Sequence, residues 1–404
     1  GFNPYLEGEL TGTSYKMVQG KTIVVKVGSS LLANQERLTP RWAFMHNLLS
    51  DIAQLREAGA KVILCSSGSV ALGLNMIGER PETAGLRDKQ AAAACGIPLL
   101  LNGYKQVAHE YSFEIAQVLV TLRDLEDRKR FLNTKNTVDR LLEANIMPII
   151  NENDTITTEE IRVGDNDRLS AKIAQMLQAD TLVILTQVDG LFDRDPSEPG
   201  ASLVEELSDV SPYLAVTENV SSLGSGGMLT KIQAAHMAQN AGCETLIAHG
   251  EYEHPVTSVL NGERKHTTIL ANERPESAWA NWLSDRLQMA GSIVVNEQTA
   301  KAFKAGPRHI GREDVLSIQG PYVKGDVIHI YGESGTELAR GLTNFSSDET
   351  MALARNPKMT AMQLLGYKTG GTLITDKNMV VLDDRHLPWD LPSDEDMTEV
   401  ITRD

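Results

Sequence analysis

Cysteine is scarce in this chain: Cys65, Cys95 and Cys243 are the only three in 404 residues. An odd number without metal-ligand spacing argues against a disulfide framework and a cysteine-built zinc site, and fits a reducing compartment. Excess positive charge is lacking as well. The 54 acidic and 38 basic side chains leave a net charge of −16, which disfavours RNA and other nucleic acids as partners, because phosphate backbones attract positive fields. Part of that charge is local, since residues 383–404 carry eight acidic and two basic side chains. No run reaches the ~18 apolar residues of a membrane span, and residues 1–20 hold no apolar core of signal-peptide length. The nine histidines show no metal spacing. A soluble, cytoplasmic protein with no membrane partner is expected. At 41% apolar residues the chain can bury a large core, and its length predicts two or three domains.

What is present is an alternation. Between residues 21 and 274, apolar runs at Thr22–Val27, Lys61–Cys65, Ile146–Ile150, Thr181–Thr186 and Thr245–Ala248 are separated by helical patterns near Pro40–Ala58, Arg168–Gln178 and Leu229–Asn240. Runs apolar on both faces and separated by helices predict an α/β domain, a mostly parallel sheet covered by helices on both sides. Residues 1–20 precede it as an extension. In residues 275–290, Trp279, Trp282, Leu283 and Leu287 recur at helical spacing and predict a connecting helix. The texture of 291–381 is different, with β-like runs at Ser292–Val295, Tyr322–Ile330 and Gly371–Thr375 between glycine turns, and it predicts a small, mostly β domain. The acidic, proline-containing residues 382–404 read as a disordered tail.

Ligands of parallel α/β sheets sit beyond the carboxyl ends of the strands, and the small and polar clusters fall there. Lys26-Val27-Gly28-Ser29-Ser30 ends the first run, and Gly224-Ser225-Gly226-Gly227-Met228-Leu229-Thr230-Lys231 opens a helix about 200 residues later. Each can present backbone N–H groups and a lysine to phosphate. Taken singly, the first also reads as a strand-end cation beside a turn and the second as a helix-capping loop, and the second is no Walker A loop. Ser66-Ser67-Gly68-Ser69 is either an ordinary turn or a donor loop for a carboxylate. Asn151-Glu152-Asn153-Asp154 and Gly164-Asp165-Asn166-Asp167 are residue types that cap and turn, but also types that hold an α-ammonium group, a carboxylate or a lysine. Thr186-Gln187 closes another strand.

On these motifs the chain resembles the amino-acid kinase superfamily, and within it the glutamate 5-kinase family, over residues 21–381. The segment from Gly291 is similar to the PUA module appended to many of its members. The resemblance implies ATP-dependent phosphorylation of a carboxylate, with ATP and Mg²⁺ as cofactors and L-glutamate as substrate. It assigns Lys26, Lys231 and Asp165 to catalysis, with Asp165 positioning the lysines. Ser67, Asp154 and Asn166 would bind substrate. Lys26, Gly28, Thr186, Gln187, Ser225, Gly226, Gly227, Met228, Leu229, Thr230 and Lys231 would bind ATP, and no residue is assigned to a metal. Gln187 is a departure, since the family commonly carries Asp there. The same resemblance implies feedback by proline, a homo-oligomer and hand-off of a reactive product to glutamyl phosphate reductase. The rival readings are a kinase for another small acid, such as acetylglutamate or aspartate, and an RNA-binding regulator with a degenerate kinase domain.

Overall fold

The computed structural model describes residues 9–156, 165–213, 227–273, 277–286, 289–383, 386, 399–401 and 403. The chain divides into two compact units, Gly1–Glu276 and Ser277–Asp404. Among the described residues no helix is long and apolar enough to cross a membrane.

Thr22–Val27 (β1) is buried at all but its first residue, as a strand covered on both faces must be. Lys61–Ser66 (β2), Glu114–Val120 (β3), Ile146–Glu152 (β4), Thr181–Thr186 (β5), Glu206–Leu207 (β6), Glu244–His249 (β7) and His266–Ile269 (β8) join it in one sheet, ordered β3-β4-β2-β1-β5-β7-β8-β6. β1 to β5 and β7 run parallel, with Lys26 beside Cys65 and Ile184, while β8 is antiparallel to β7. β1 is flanked by β2 on one side and β5 on the other. The strand order therefore reverses at the centre of the sheet, and the ends of β1, β2, β4 and β5 surround that point.

The helices of this unit that matter for the site are Gly12–Val18 (α1), Ser29–Leu32 (α2), Trp42–Glu57 (α3), Ser69–Ile77 (α4), Leu86–Glu110 (α5), Leu122–Glu126 (α6), Arg128–Glu143 (α7), Asp165–Leu177 (α8) and Gly227–Asn240 (α9). Leu48, Ile52 and Leu55 of α3 and Leu100 and Tyr104 of α5 share one core with Val25 and Leu64 of the sheet. Leu10 and Val18 join the same core, and Ser14 Oγ donates to the Leu260 carbonyl at 3.1 Å. Residues 9–20 thus pack as part of this unit. α4 and α5 cross backbone to backbone: a Cβ on Gly73 would stand 1.6 Å from the Ala92 carbonyl oxygen, and one on Gly96 1.7 Å from that of Ser69. Two glycines therefore set the depth of the Ser66–Ser69 turn.

The second unit holds a sheet of Ser292–Val295 (β9), Val315–Gln319 (β10), Val327–Tyr331 (β11), Glu337–Leu342 (β12), Met379–Val381 (β13) and Glu399–Val400 (β14), ordered β13-β12-β11-β9-β10-β14. β9 and β11 are parallel and the other pairs antiparallel. Gly371–Thr375 contributes only a single bridge, Ile374 to Ile310. Within 275–290 the helix is Ala278–Ser284, with the Trp279 and Trp282 rings stacked at 5.1 Å; Leu287 lies outside the described residues. Composition predicts disorder throughout the tail, yet β14 pairs with β10 and Ile401 N–H donates to the Leu316 carbonyl at 3.1 Å. The reason is that an edge strand offers main-chain partners whatever the net charge of the arriving segment.

Candidate active site

The ends of β1, β2, β4 and β5 open onto a cavity of about 400 Å³, whose walls include Lys26, Gly28, Ser67, Asp154, Asn166, Thr186 and Lys231. All seven are among the residues the sequence singles out, from six separate segments. Gly68 makes the turn after β2 in a left-handed conformation, φ +100°, which costs glycine little and most side chains much. Its neighbour Ser67 accepts from Asn166 Nδ2.

At the back of the cavity Asp167, fully buried near the start of α8, receives two cations. Lys26 Nζ stands 2.7 Å from its Oδ1 and Lys231 Nζ 3.2 Å from its Oδ2, and Thr230 Oγ1 donates to Oδ2 at 2.8 Å. Both lysine side chains are 7% exposed, so solvent screens the group little. Burial by itself would push the Asp167 carboxyl up. The Lys26 and Lys231 charges, with hydrogen bonds from Lys26 and Thr230, prevail and hold it below the ordinary carboxylate range. Burial lowers the Lys231 ammonium from its ordinary value and Lys26 adds to that, while Asp167 opposes it. Lys26 and Lys231 share this one carboxylate, and among the described residues their ammonium groups keep N–H donors beyond it, facing the cavity. An anion entering there meets them directly.

The residue that pairs with both lysines is Asp167. Sequence reasoning assigned this role to Asp165, whose side chain lies outside the described residues. The Gly164-Asp165-Asn166-Asp167 cluster offers two carboxylates two positions apart, and of these Asp167 meets Lys26. Thr230, read as a nucleotide contact, donates through Oγ1 to Asp167. Gly227 opens α9 with φ +40°, and Gly227, Met228, Leu229 and Gln187 are not among the residues lining the cavity. Ser225 and Gly226 lie outside the described residues. Asn166 Oδ1 is buried with no hydrogen-bond partner among the described residues, an arrangement that favours an incoming donor. Glu152, Asn151 and Lys89 also line the cavity, and of these Lys89 carries no motif that singles it out. Among the described residues no group of three or more His, Cys, Asp or Glu side chains is placed to hold a metal ion.

The model of the amino acid kinase family matches residues 21–249, and that of the PUA domain residues 291–358. A glutamate 5-kinase of Burkholderia mallei (strain SAVP1) is 39% identical over 374 residues, 91% of this chain and 99% of that protein. A glutamate 5-kinase of Azoarcus sp. (strain BH72) is 39% identical over 370 residues with the same coverage. A solved structure of carbamate kinase from Giardia lamblia bound to AMP-PNP is similar with a TM-score of 0.47 and 18% identity, over 63% of this chain and 100% of that one. By both the family model and the near full-length relatives, the chain belongs to the amino acid kinase family and, within it, to the glutamate 5-kinases that carry a PUA domain.

Proposed function

We propose that the site transfers the γ-phosphoryl group of ATP to the side-chain carboxylate of L-glutamate, giving ADP and L-glutamyl 5-phosphate, the first step of proline biosynthesis. The observation that carries this reading is the convergence of Lys26 and Lys231 on Asp167 at a cavity rimmed by Ser67, Asp154 and Asn166. A carboxylate is already a nucleophile, so the transfer asks for alignment and charge stabilisation rather than a strong base. Lys26 and Lys231 neutralise the charge that spreads over the phosphoryl oxygens, and Asp167 keeps the two ammonium groups apart and aimed. Glutamate lies on the Ser67 side, with its α-ammonium satisfying Asn166 Oδ1 and lying against the Asp154 carboxylate. ATP lies on the Gly28 and Thr186 side. Mg²⁺ carried by the nucleotide supplies further neutralisation of its phosphates.

The acyl phosphate formed is reactive, and a glutamyl phosphate reductase taking it up promptly would protect it from water. Proline carries the same α-carboxylate and an ammonium nitrogen and would compete with glutamate. These steps, and assembly of like chains, belong to a cytoplasmic enzyme. The test is ADP release across a panel of acidic amino acids with hydroxylamine trapping of the product. Hydroxamate with glutamate, and little with aspartate or acetylglutamate, is expected. Preference for either rival, or ADP without hydroxamate, would refute the assignment.

A further inference from the structure

Gln187, expected at the nucleotide, is turned toward protein. Its Nε2 donates to the Ser30 carbonyl at 3.3 Å and to Glu251 Oε1 at 3.1 Å. Glu251, just past β7, is also gripped by Arg41 through two hydrogen bonds of 2.7 and 2.6 Å. Arg41 Nη1 reaches on to the Ser30 and Leu31 carbonyls at 3.4 and 3.2 Å.

These contacts close an account that a four-residue helix cannot close alone. α2 follows Gly28 directly, and the last carbonyls of any helix lack partners within it. Here the Ser29 carbonyl accepts from Ala33 N–H at 2.9 Å, Ser30 from Gln187 and Arg41, Leu31 from Arg41, and Leu32 from the Arg41 main chain at 2.9 Å. The strand end supports the same turn from below: a Cβ on Gly250 would stand 2.6 Å from Leu31 Cδ1. With the Ser30 and Leu31 carbonyls held by side chains, the orientation of the Gly28–Ser30 segment against the cavity is supported by residues just past β5 (Gln187), just past β7 (Glu251) and just before α3 (Arg41).

The geometry points to Gln187 as a positioning residue: with Glu251 and Arg41 it forms a clamp that holds the Gly28–Ser30 segment in place for the phosphates, rather than touching nucleotide or metal itself. This rests on the reading of that segment as the phosphate side of a kinase site. An amide suits the position because it donates to a carbonyl and a carboxylate at once. An aspartate there would offer no donor to Ser30 and would set a second carboxylate beside Glu251.

The test is a double-mutant cycle on the full chain, with kcat and the KM for ATP measured at several Mg²⁺ concentrations. Gln187→Ala, Glu251→Ala and Arg41→Ala should each lower kcat/KM for ATP by about three- to tenfold. Because all three act through one clamp, Gln187→Ala/Glu251→Ala should be no worse than the worse single variant. Gln187→Asp should lose more than Gln187→Ala, and Gln187→Asp/Glu251→Gln should recover most of that difference. Multiplicative losses at 187 and 251, or a loss at 187 alone that rising Mg²⁺ relieves, would overturn the clamp in favour of direct contact. Amide hydrogen exchange of the peptide spanning residues 28–33 provides a readout independent of turnover. It should quicken about three- to tenfold in the single variants, and unchanged exchange would refute the clamp even if the chain proved not to phosphorylate glutamate. Absence of hydroxamate from the unmodified chain would, conversely, refute only the kinase reading.

Discussion

Each unit of this chain buries a cluster of charges, and the two clusters are built to opposite ends. In the second unit Arg340 is fully buried, and its Nε and Nη2 reach Glu337 at 2.8 and 3.4 Å while Nη1 donates to the Ser284 and Arg286 carbonyls at 2.6 and 3.0 Å. His329 Nδ1 stands 2.5 Å from Glu337 Oε1, the oxygen that Arg340 Nε also reaches. The guanidinium has nearly all its donors placed, as a structural cation should. In the first unit Lys26 and Lys231 share one carboxylate and face a cavity. Burial of charge is common to both. What marks the functional cluster is that, among the described residues, its two ammonium groups keep donors beyond the one carboxylate they share and face open space.

Variants can break this contrast. The largest effect should come from Arg340→Ala, which leaves Glu337 with His329 alone and takes the Arg340 donor from the Ser284 and Arg286 carbonyls, at a cost to the second unit of about 3–5 kcal/mol, measured as loss of its unfolding transition in urea. Glutamyl phosphate formation should persist, because every residue assigned to chemistry lies at or before Lys231. Next come Lys26→Ala and Lys231→Ala, each expected to lower kcat about 10²–10³-fold with a much smaller change in the KM for glutamate. Near-normal turnover in a folded variant would remove the phosphoryl-stabilising role. Asp154→Ala and Asn166→Ala should cost about 1–3 kcal/mol, read as a rise in the KM for glutamate with that for ATP little changed. Equal weakening of both would count against a substrate-side role.

The smallest effects are those of pH, and here the signs differ between the clusters. Glu337 is held below its ordinary value of 4.5: burial raises it, but hydrogen bonds from His329 and Arg340 and their charges lower it further. A depressed folded-state pKa contributes stability that is present above the unfolded value and lost as pH falls through the folded one. The second unit should therefore weaken below about pH 4.5, and Glu337→Gln should flatten that dependence in urea titrations. For the first cluster the readout is activity. Lys231 lies below its ordinary 10.5, so kcat/KM should decline on the alkaline side before pH 10.5, and Lys231→Arg should remove that limb from whatever turnover remains. A limb that stays in place would reassign the titrating group.

Much of the first unit was legible from residue pattern alone. β1, β2, β4, β5 and β7 stand where apolar runs predicted them, since strands buried on both faces leave a continuous hydrophobic signature. β3 escaped notice because it lies at the sheet edge, where Glu114, Gln117 and the exposed Leu119 interrupt such a run. α5 escaped because Pro98 and two glycines, Gly96 and Gly103, break a helical reading, although Gly96 is there to let α4 approach. In the second unit Val315–Gln319 and Glu337–Leu342 are short strands whose partners, more than their own residues, make them strands.

The site divides along the same line. Sequence by itself determined that two lysines, a serine turn and two Asn/Asp clusters fall at strand ends and helix starts, because local pattern places elements and elements place their ends. It did not determine that Asp167 pairs with both lysines, nor that Gln187 turns to Ser30 and Glu251, nor that residues 399–400 would find an edge strand. Those outcomes depend on helix rotation and on contacts between residues as much as 157 positions apart, as between Gln187 and Ser30. Only the packed chain supplies such contacts, since burial and the need to pair every buried polar group act on neighbours in space rather than in sequence.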